Sequence, residues 1–303
     1  MKKLVMTAAV VSAVLCSVAD GAKDGKPLKV LAIGNSFSIA MSSAVSPVAA
    51  DLGRRIDICT MFIGGCSLER HCKNLAAPDA MPYQINWTWD NKKSNPEVPF
   101  LSALTNVVDQ KNGHAYKMSN IPQMLRAAKW DVVTIQQASH ESWKPESYHP
   151  FGDDLVKAIR EGAPQAKIVV HETWSYVSFC PRYAQWGIDQ TEMYNRLHKC
   201  YGDFAKKYGF EVIPVGTAVQ LYRNRLPVRS SDTEVGGDPV GKSPPKGDSI
   251  HMNPDGEYLQ ALVWAGALLG EDVTKCAYAP RCIVPARAKL MRECAAQAVA
   301  NRR

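Results

Sequence analysis

"KVLAIG" (29–34) is a short apolar run that ends in glycine and is followed at once by Asn35 and Ser36. A run of this length, bounded by a glycine, reads as a buried strand rather than a helix. Four more runs resemble it: 55–65 "RIDICTMFIGG", 130–137 "WDVVTIQQ", 166–174 "AKIVVHETW" and 210–216 "FEVIPVG". Helical stretches lie between them, at 38–52, from about 119, at 153–161 and at 189–208. Strands alternating with helices of this length predict an α/β fold, with a central parallel sheet of about five strands covered on both faces.

Two stretches break the alternation. Residues 76–118 carry aromatics, Pro and Asn without a helical period and read as an insertion, with a hairpin as one form. Residues 226–247 form a Gly/Pro-rich polar loop, a type that is functional or merely connecting. A last helix is expected in "ARAKLMRECAAQAVA" (286–300). The reading is one domain over residues 20–303.

Before it, residues 1–19 combine Lys2 and Lys3, an apolar stretch and small residues at Ser17 and Ala19, as a secretory signal does. The apolar run is short for a membrane span. The expected location is therefore secreted or periplasmic, with no stable span after cleavage. Loss of the two lysines lowers the net charge from +7 to 34 − 29 = +5. That charge is spread along the chain without a basic block, which argues against nucleic-acid binding. Of nine cysteines, Cys16 leaves with the signal and eight remain, an even number that permits disulfides in an exported chain. Cys276 and Cys282 are the first pair to consider, and buried free thiols are the alternative. No Cys-x-x-Cys occurs.

In an open parallel sheet, ligands sit beyond the carboxyl ends of the strands. The polar residues there are Gly34-Asn35-Ser36, Gly64-Gly65-Cys66-Ser67, Gln136-Gln137 and Glu172 to Trp174. A later segment, "GDSIHMNPDGEYLQ", holds Asp248 and His251 three residues apart, ahead of Asn253 and Pro254, which suit a helix start. Together these residues contain a hydroxyl nucleophile, an imidazole to accept its proton, a carboxylate to orient the imidazole, and glycine N–H groups for an oxyanion. Taken singly, Ser36 reads as a helix cap, Gly64-Gly65 as a turn, and Asp-x-x-His as a chance spacing. His71, His114, His140, His149, His171 and His198 read as packing or surface residues, with His71 and His140 held in reserve because they closely follow site segments. No Gly-x-Ser-x-Gly elbow occurs, which disfavours the α/β-hydrolase alternative. No clustered His/Asp set suggests a catalytic metal.

The order "IGNSFS … GGCSLERH … IQQASH … DSIHMN" resembles the SGNH hydrolase superfamily, the GDSL-type esterases, and within it an exported branch with GNSFS, GGxSLExH and DxxH blocks. The resemblance implies a flavodoxin-like three-layer α/β/α fold, no cofactor and no metal. It implies Ser36 as nucleophile and oxyanion donor, Gly65 as second donor, and Asp248 and His251 as the remaining triad members. The usual Gly-x-Asn-Asp of the third block is absent. "IQQAS" there resembles the Gln-containing block of acetyl-xylan and sialate O-acetyl esterases, which maps the third donor onto Gln136, with Gln137 as second choice. Asn35 stands where many members have Asp.

The expected activity is ester hydrolysis, with an O-acetyl group on a carbohydrate as the first substrate class. Trp87, Trp89, Trp143 and Trp174 are available to stack on sugar rings or to pack, and Asn35, His140 and Trp174 are the candidate substrate contacts. A lipid or thioester hydrolase on the same site, and a non-catalytic glycan-binding or cell-envelope protein of the same fold, are the rival readings. Oligomeric state is left open.

Overall fold

Strand β1 (Leu28–Gly34) is buried along its whole length except at Lys29, so both of its faces must be covered. The computed structural model describes residues 25–88, 104–108, 113–226, 232–235 and 248–302. The expected signal at 1–19 and Trp89 lie outside them, as does most of the 226–247 loop.

After β1 the chain makes two single 3-10 turns, Ser36–Ser38 and Ala40–Ser43, before helix α1 (Val45–Asp51). The continuous helix expected over 38–52 is thus broken. Pro47 has no N–H and disfavours helical backbone before it, so it is accommodated in the first turn of a helix that starts at Val45. Next come β2 (Ile56–Phe62), α2 (Leu68–Leu75) and three strands from the insertion: β3 (Tyr83–Thr88), β4 (Thr105–Val108) and β5 (Ala115–Ser119). The rest alternates regularly: α3 (Ile121–Ala127), β6 (Val132–Ile135), α4 (Phe151–Gly162), β7 (Lys167–Glu172), the short α5 (Arg182–Trp186), α6 (Gln190–Tyr208), β8 (Glu211–Pro214) and α7 (Val215–Arg225). Helices α8 (Pro254–Leu269) and α9 (Pro285–Ala300) close the chain.

Among the described residues the sheet has eight strands, in the order β4-β5-β3-β2-β1-β6-β7-β8. Five of them, β2-β1-β6-β7-β8, are parallel, the number expected. The other three are antiparallel and extend the sheet beyond β2. The 76–118 stretch therefore adds sheet rather than a free hairpin, because β3 finds an open edge on β2 to pair with.

Helices α1, α7, α8 and α9 pack together as one layer, and α2, α3 and α4 as another. Helix α6 joins the second layer, where Phe204 lies so close to Gly152 of α4 that a Cβ there would fall 2.6 Å from the ring. Helix α8 is buried on nearly every side and is mostly apolar, as suits a helix enclosed by others. Among the described residues no helix is long and apolar enough to cross a membrane.

The parallel strands deliver the 36–38, 63–67, 136–150 and 173–181 segments to one edge. All eight described cysteines are free thiols, with Cys276 buried and Cys282 exposed. That corrects the disulfide expectation.

Candidate active site

Gly34 ends β1 because a side chain has no room there: an added Cβ would lie 2.1 Å from Ser38 Oγ and 3.2 Å from Gln136 Cδ. Asn35, not Ser36, is the cap. Its Oδ1 accepts the Phe37 N–H at 3.0 Å, leaving the Ser36 hydroxyl free of capping duty. Ser36 is partly exposed between the buried Asn35 and Phe37.

Its hydroxyl meets the imidazole of the late segment. Ser36 Oγ lies 2.9 Å from His251 Nε2, and His251 Nδ1 lies 2.7 Å from Asp248 Oδ2. The other Asp248 oxygen accepts the N–H groups of Ile250 at 2.8 Å and His251 at 2.9 Å. Partial burial pushes the Asp248 carboxyl up, but the N–H groups of His251 and Ile250 and the imidazole outweigh it and hold the group below its ordinary value. The carboxylate is thus kept ionised and aimed at Nδ1, the tautomer that leaves Nε2 free to accept a proton.

The turn bearing His251 is tied from behind. Trp174 Nε1 donates to Ile250 O at 2.9 Å, and Val177 N donates to Ser249 O at 3.1 Å. The Trp174 ring is stacked on Phe37 with centroids 3.9 Å apart, and Phe37 in turn faces His251 at 5.9 Å. Asn253 caps α8 and donates to Thr233 O at 2.6 Å. Beside it, buried Glu234 pairs with buried Arg223 at 2.6 Å. Burial raises the Glu234 carboxyl, against the pull of Arg223.

The second block follows β2. Gly65 has φ +60°, in the left-handed region, and both Gly64 and Gly65 are exposed. Ser67 caps α2 by accepting the Arg70 N–H. In the turns and caps of the described residues, the N–H groups of Ser36 and Gly65 have no partner.

The two glutamines behave differently from the expectation. Gln136 is buried, and its Nε2 donates to Asn35 Oδ1 at 2.6 Å. Gln137 is fully engaged: Oε1 accepts from Leu68 N and Ala138 N, and Nε2 donates to the carbonyl and hydroxyl of Ser147. Gln137 has every amide group engaged, while buried Gln136 ties Asn35 to the end of β6 through one N–H.

The expected substrate contacts also move. Trp174 is fully buried and cannot stack on a sugar. Asn35 is buried too, with Nδ2 donating to Cys66 O at 3.1 Å, so it binds the first block to the second. His140 is half-exposed beside Glu141, its ring pulled below its usual value by partial burial. No hydrogen bond or ion pair among the described residues joins it to Ser36, Asp248 or His251. Trp143 is largely buried against Trp186, and Trp87 is partly buried in the core. Among the described residues no cluster of side chains fits a metal.

Three residues of the site escaped sequence reading: Phe37, His171 and Gln260. Only His171 carried a signal, standing near the carboxyl end of a parallel strand.

The family described as "Domain of unknown function (DUF4886)" matches residues 104–298. This chain belongs to it. The DUF4886 match includes Asp248 and His251 and begins after Ser36 and Gly65. A DUF4886 family protein from Bacteroides uniformis has a solved structure similar to this one, at 28% identity and a TM-score of 0.73, covering 91% of this chain and 96% of that one. The DUF4886 chain is also similar to a candidate SGNH hydrolase from Slackia heliotrinireducens (19% identity, TM-score 0.49, 80% of this chain and 100% of that). A GDSL-like lipase candidate from Parabacteroides merdae is similar at 13% identity and a TM-score of 0.47, over 80% of this chain and 96% of that one. Both of these scores are below one half. No curated protein matches the DUF4886 chain in sequence.

Proposed function

We propose that this chain is an exported serine esterase of the SGNH type, which transfers an acyl group from an ester to water. The observation that carries the reading is the continuous line Ser36 Oγ, His251 Nε2, His251 Nδ1, Asp248 Oδ2, with contacts of 2.9 and 2.7 Å. Ser36 Oγ attacks the ester carbonyl as its proton passes to His251 Nε2, and Asp248 stabilises the imidazolium. The N–H groups of Ser36 and Gly65 receive the oxyanion; each such donor is worth about 3 kcal/mol in the transition state. Collapse expels the alcohol, which takes the proton from His251 and leaves acyl-Ser36. Water, deprotonated by the same imidazole, then releases the acid.

The substrate class best supported is a small acyl group, an acetyl, on a bulky carbohydrate alcohol. Asp248 and His251 keep 45% and 48% of their side-chain surface exposed, an open rim that admits a large leaving group. Phe179, 50% exposed on the segment that holds the His251 turn, favours the second reading of a longer acyl chain.

The test is hydrolysis of p-nitrophenyl acetate, longer acyl esters and acetylated polysaccharides by the mature chain and by Ser36→Ala. Equal rates in the two proteins would sink the mechanism. A preference for long acyl chains over acetyl would overturn the carbohydrate reading in favour of the lipid one.

A further inference from the structure

Beneath Ser36 lies a set of buried polar side chains that the proposed chemistry does not use. Their hydrogen bonds admit a single assignment, because backbone groups at both ends dictate it. Asn35 is pinned by two of these: its Oδ1 must face the Phe37 N–H and its Nδ2 must face Cys66 O. Asn35 Oδ1 can then take only a donor from Gln136, which makes the 2.6 Å contact an Nε2–H. That turns Gln136 Oε1 towards Ser38 Oγ at 2.8 Å and His171 Nδ1 at 2.6 Å. An amide oxygen cannot donate, so His171 carries its proton on Nδ1.

His171 Nε2 is then an acceptor, and it faces Gln260 Nε2 at 3.4 Å. Gln260 is independently fixed the same way round, since its Nε2 donates to Phe37 O at 2.8 Å. The chain of contacts therefore starts at the N–H of Phe37 and returns to its C=O. It grips both sides of the residue that follows Ser36. Asn35, Gln136, His171 and Gln260 are all at most 2% exposed, and burial pushes the His171 imidazole down to about 3, which keeps it neutral. Trp264 packs edge-on against the His171 ring at 5.1 Å.

We propose that this closed circuit sets the position of the nucleophile, with His171 and Gln260 as positioning residues for Ser36. The proposal rests on the esterase reading of Ser36. His171 never meets substrate. Its Nδ1–H holds Gln136 in the one orientation that satisfies Asn35 and Ser38 together, and so holds Ser36 between them. Geometry matters steeply here: a displacement of about 1 Å at a reacting group can cost on the order of 100-fold in rate.

Asparagine places its side-chain N–H where histidine has Nδ1, whereas leucine keeps the bulk and loses the donor. His171→Asn should keep kcat within roughly threefold of the parent, and His171→Leu should lower it about tenfold or more with KM nearly unchanged. Gln260→Met, which removes the donor to Phe37 O, should repeat the kcat loss and guards against a leucine variant that fails to fold. Equal losses in the Asn and Leu variants, or a loss carried by KM, would overturn the proposal.

An activity-independent measurement keeps it separate from the esterase reading. In histidine-15N-labelled protein, two imidazoles, His71 and His171, should stay neutral between about pH 5 and 8, and the one that disappears in His171→Asn should be an Nδ1-protonated ring. An Nε2–H tautomer at His171 would overturn the circuit even in an active enzyme. A correct tautomer in a protein with no esterase activity would instead fault the function and leave the circuit standing.

Discussion

The floor and the rim of the site are held by opposite means. Below Ser36, buried amides and an imidazole close on the Phe37 peptide without contact with solvent. Above it, Asp248 and His251 stand on an exposed turn that caps itself through Asp248 Oδ1 and is tied back by Trp174 and Val177. The place of Ser36 is thus set by the core, and that of His251 by a local turn. A hydrogen bond in the floor cannot be replaced by water, so each partner there is expensive to remove. The rim can exchange partners with solvent, so its single contacts are worth less, except where they enter the chemistry.

The largest expected effect removes what joins the two regions. Ser36→Ala should lower kcat by on the order of 10⁵-fold with folding unchanged, read by steady-state hydrolysis and circular dichroism. Asp248→Asn comes next, at about 10³-fold in kcat, because an amide at that position favours the wrong imidazole tautomer. A loss of less than tenfold would mean that the rim does not depend on its own carboxylate.

The third prediction concerns the core. His171 and His71 are both fully buried and pushed down to about 3, chiefly by burial, with Arg70 adding to the effect at His71. In the unfolded chain they titrate near 6.5, so between those values the unfolded state binds more protons and stability must fall with falling pH. From pH 7 to 5 each histidine should contribute a loss of about 2 kcal/mol. Urea unfolding at the two pH values checks this, and His171→Asn should remove about half of the histidine contribution. An unchanged pH dependence in that variant would place His171 outside a dry floor.

The smallest effect tests the back of the rim. Trp174→Phe keeps a ring on Phe37 but loses the donor to Ile250 O, and should cost roughly fivefold in kcat, about 1 kcal/mol. A loss as large as that of Asp248→Asn would abolish the distinction between the two regions.

Much of this was legible in the chain. Five parallel strands could be read because each is a short apolar run with turn residues behind it, and the parallel sheet has that number. The three antiparallel strands were not, since their pairing depends on the open edge of β2 and not on their own pattern. The segments that would meet were visible from strand ends, while the direction of individual side chains was not. Gln136 and Trp174 illustrate this: both stand just past a strand as a site residue would, and both turn inward.

Sequence by itself determined the α/β alternation, the strand-to-turn placement of Ser36 and the Asp-x-x-His spacing that lets Asp248 cap and orient His251, because these are short-range properties of backbone and turn chemistry. Tertiary structure alone decided which polar groups face substrate and which are spent inside. That choice depends on partners far apart in the chain, such as Gln260 on Phe37 and His171 on Gln136, and on the cost of burying any of them unpaired.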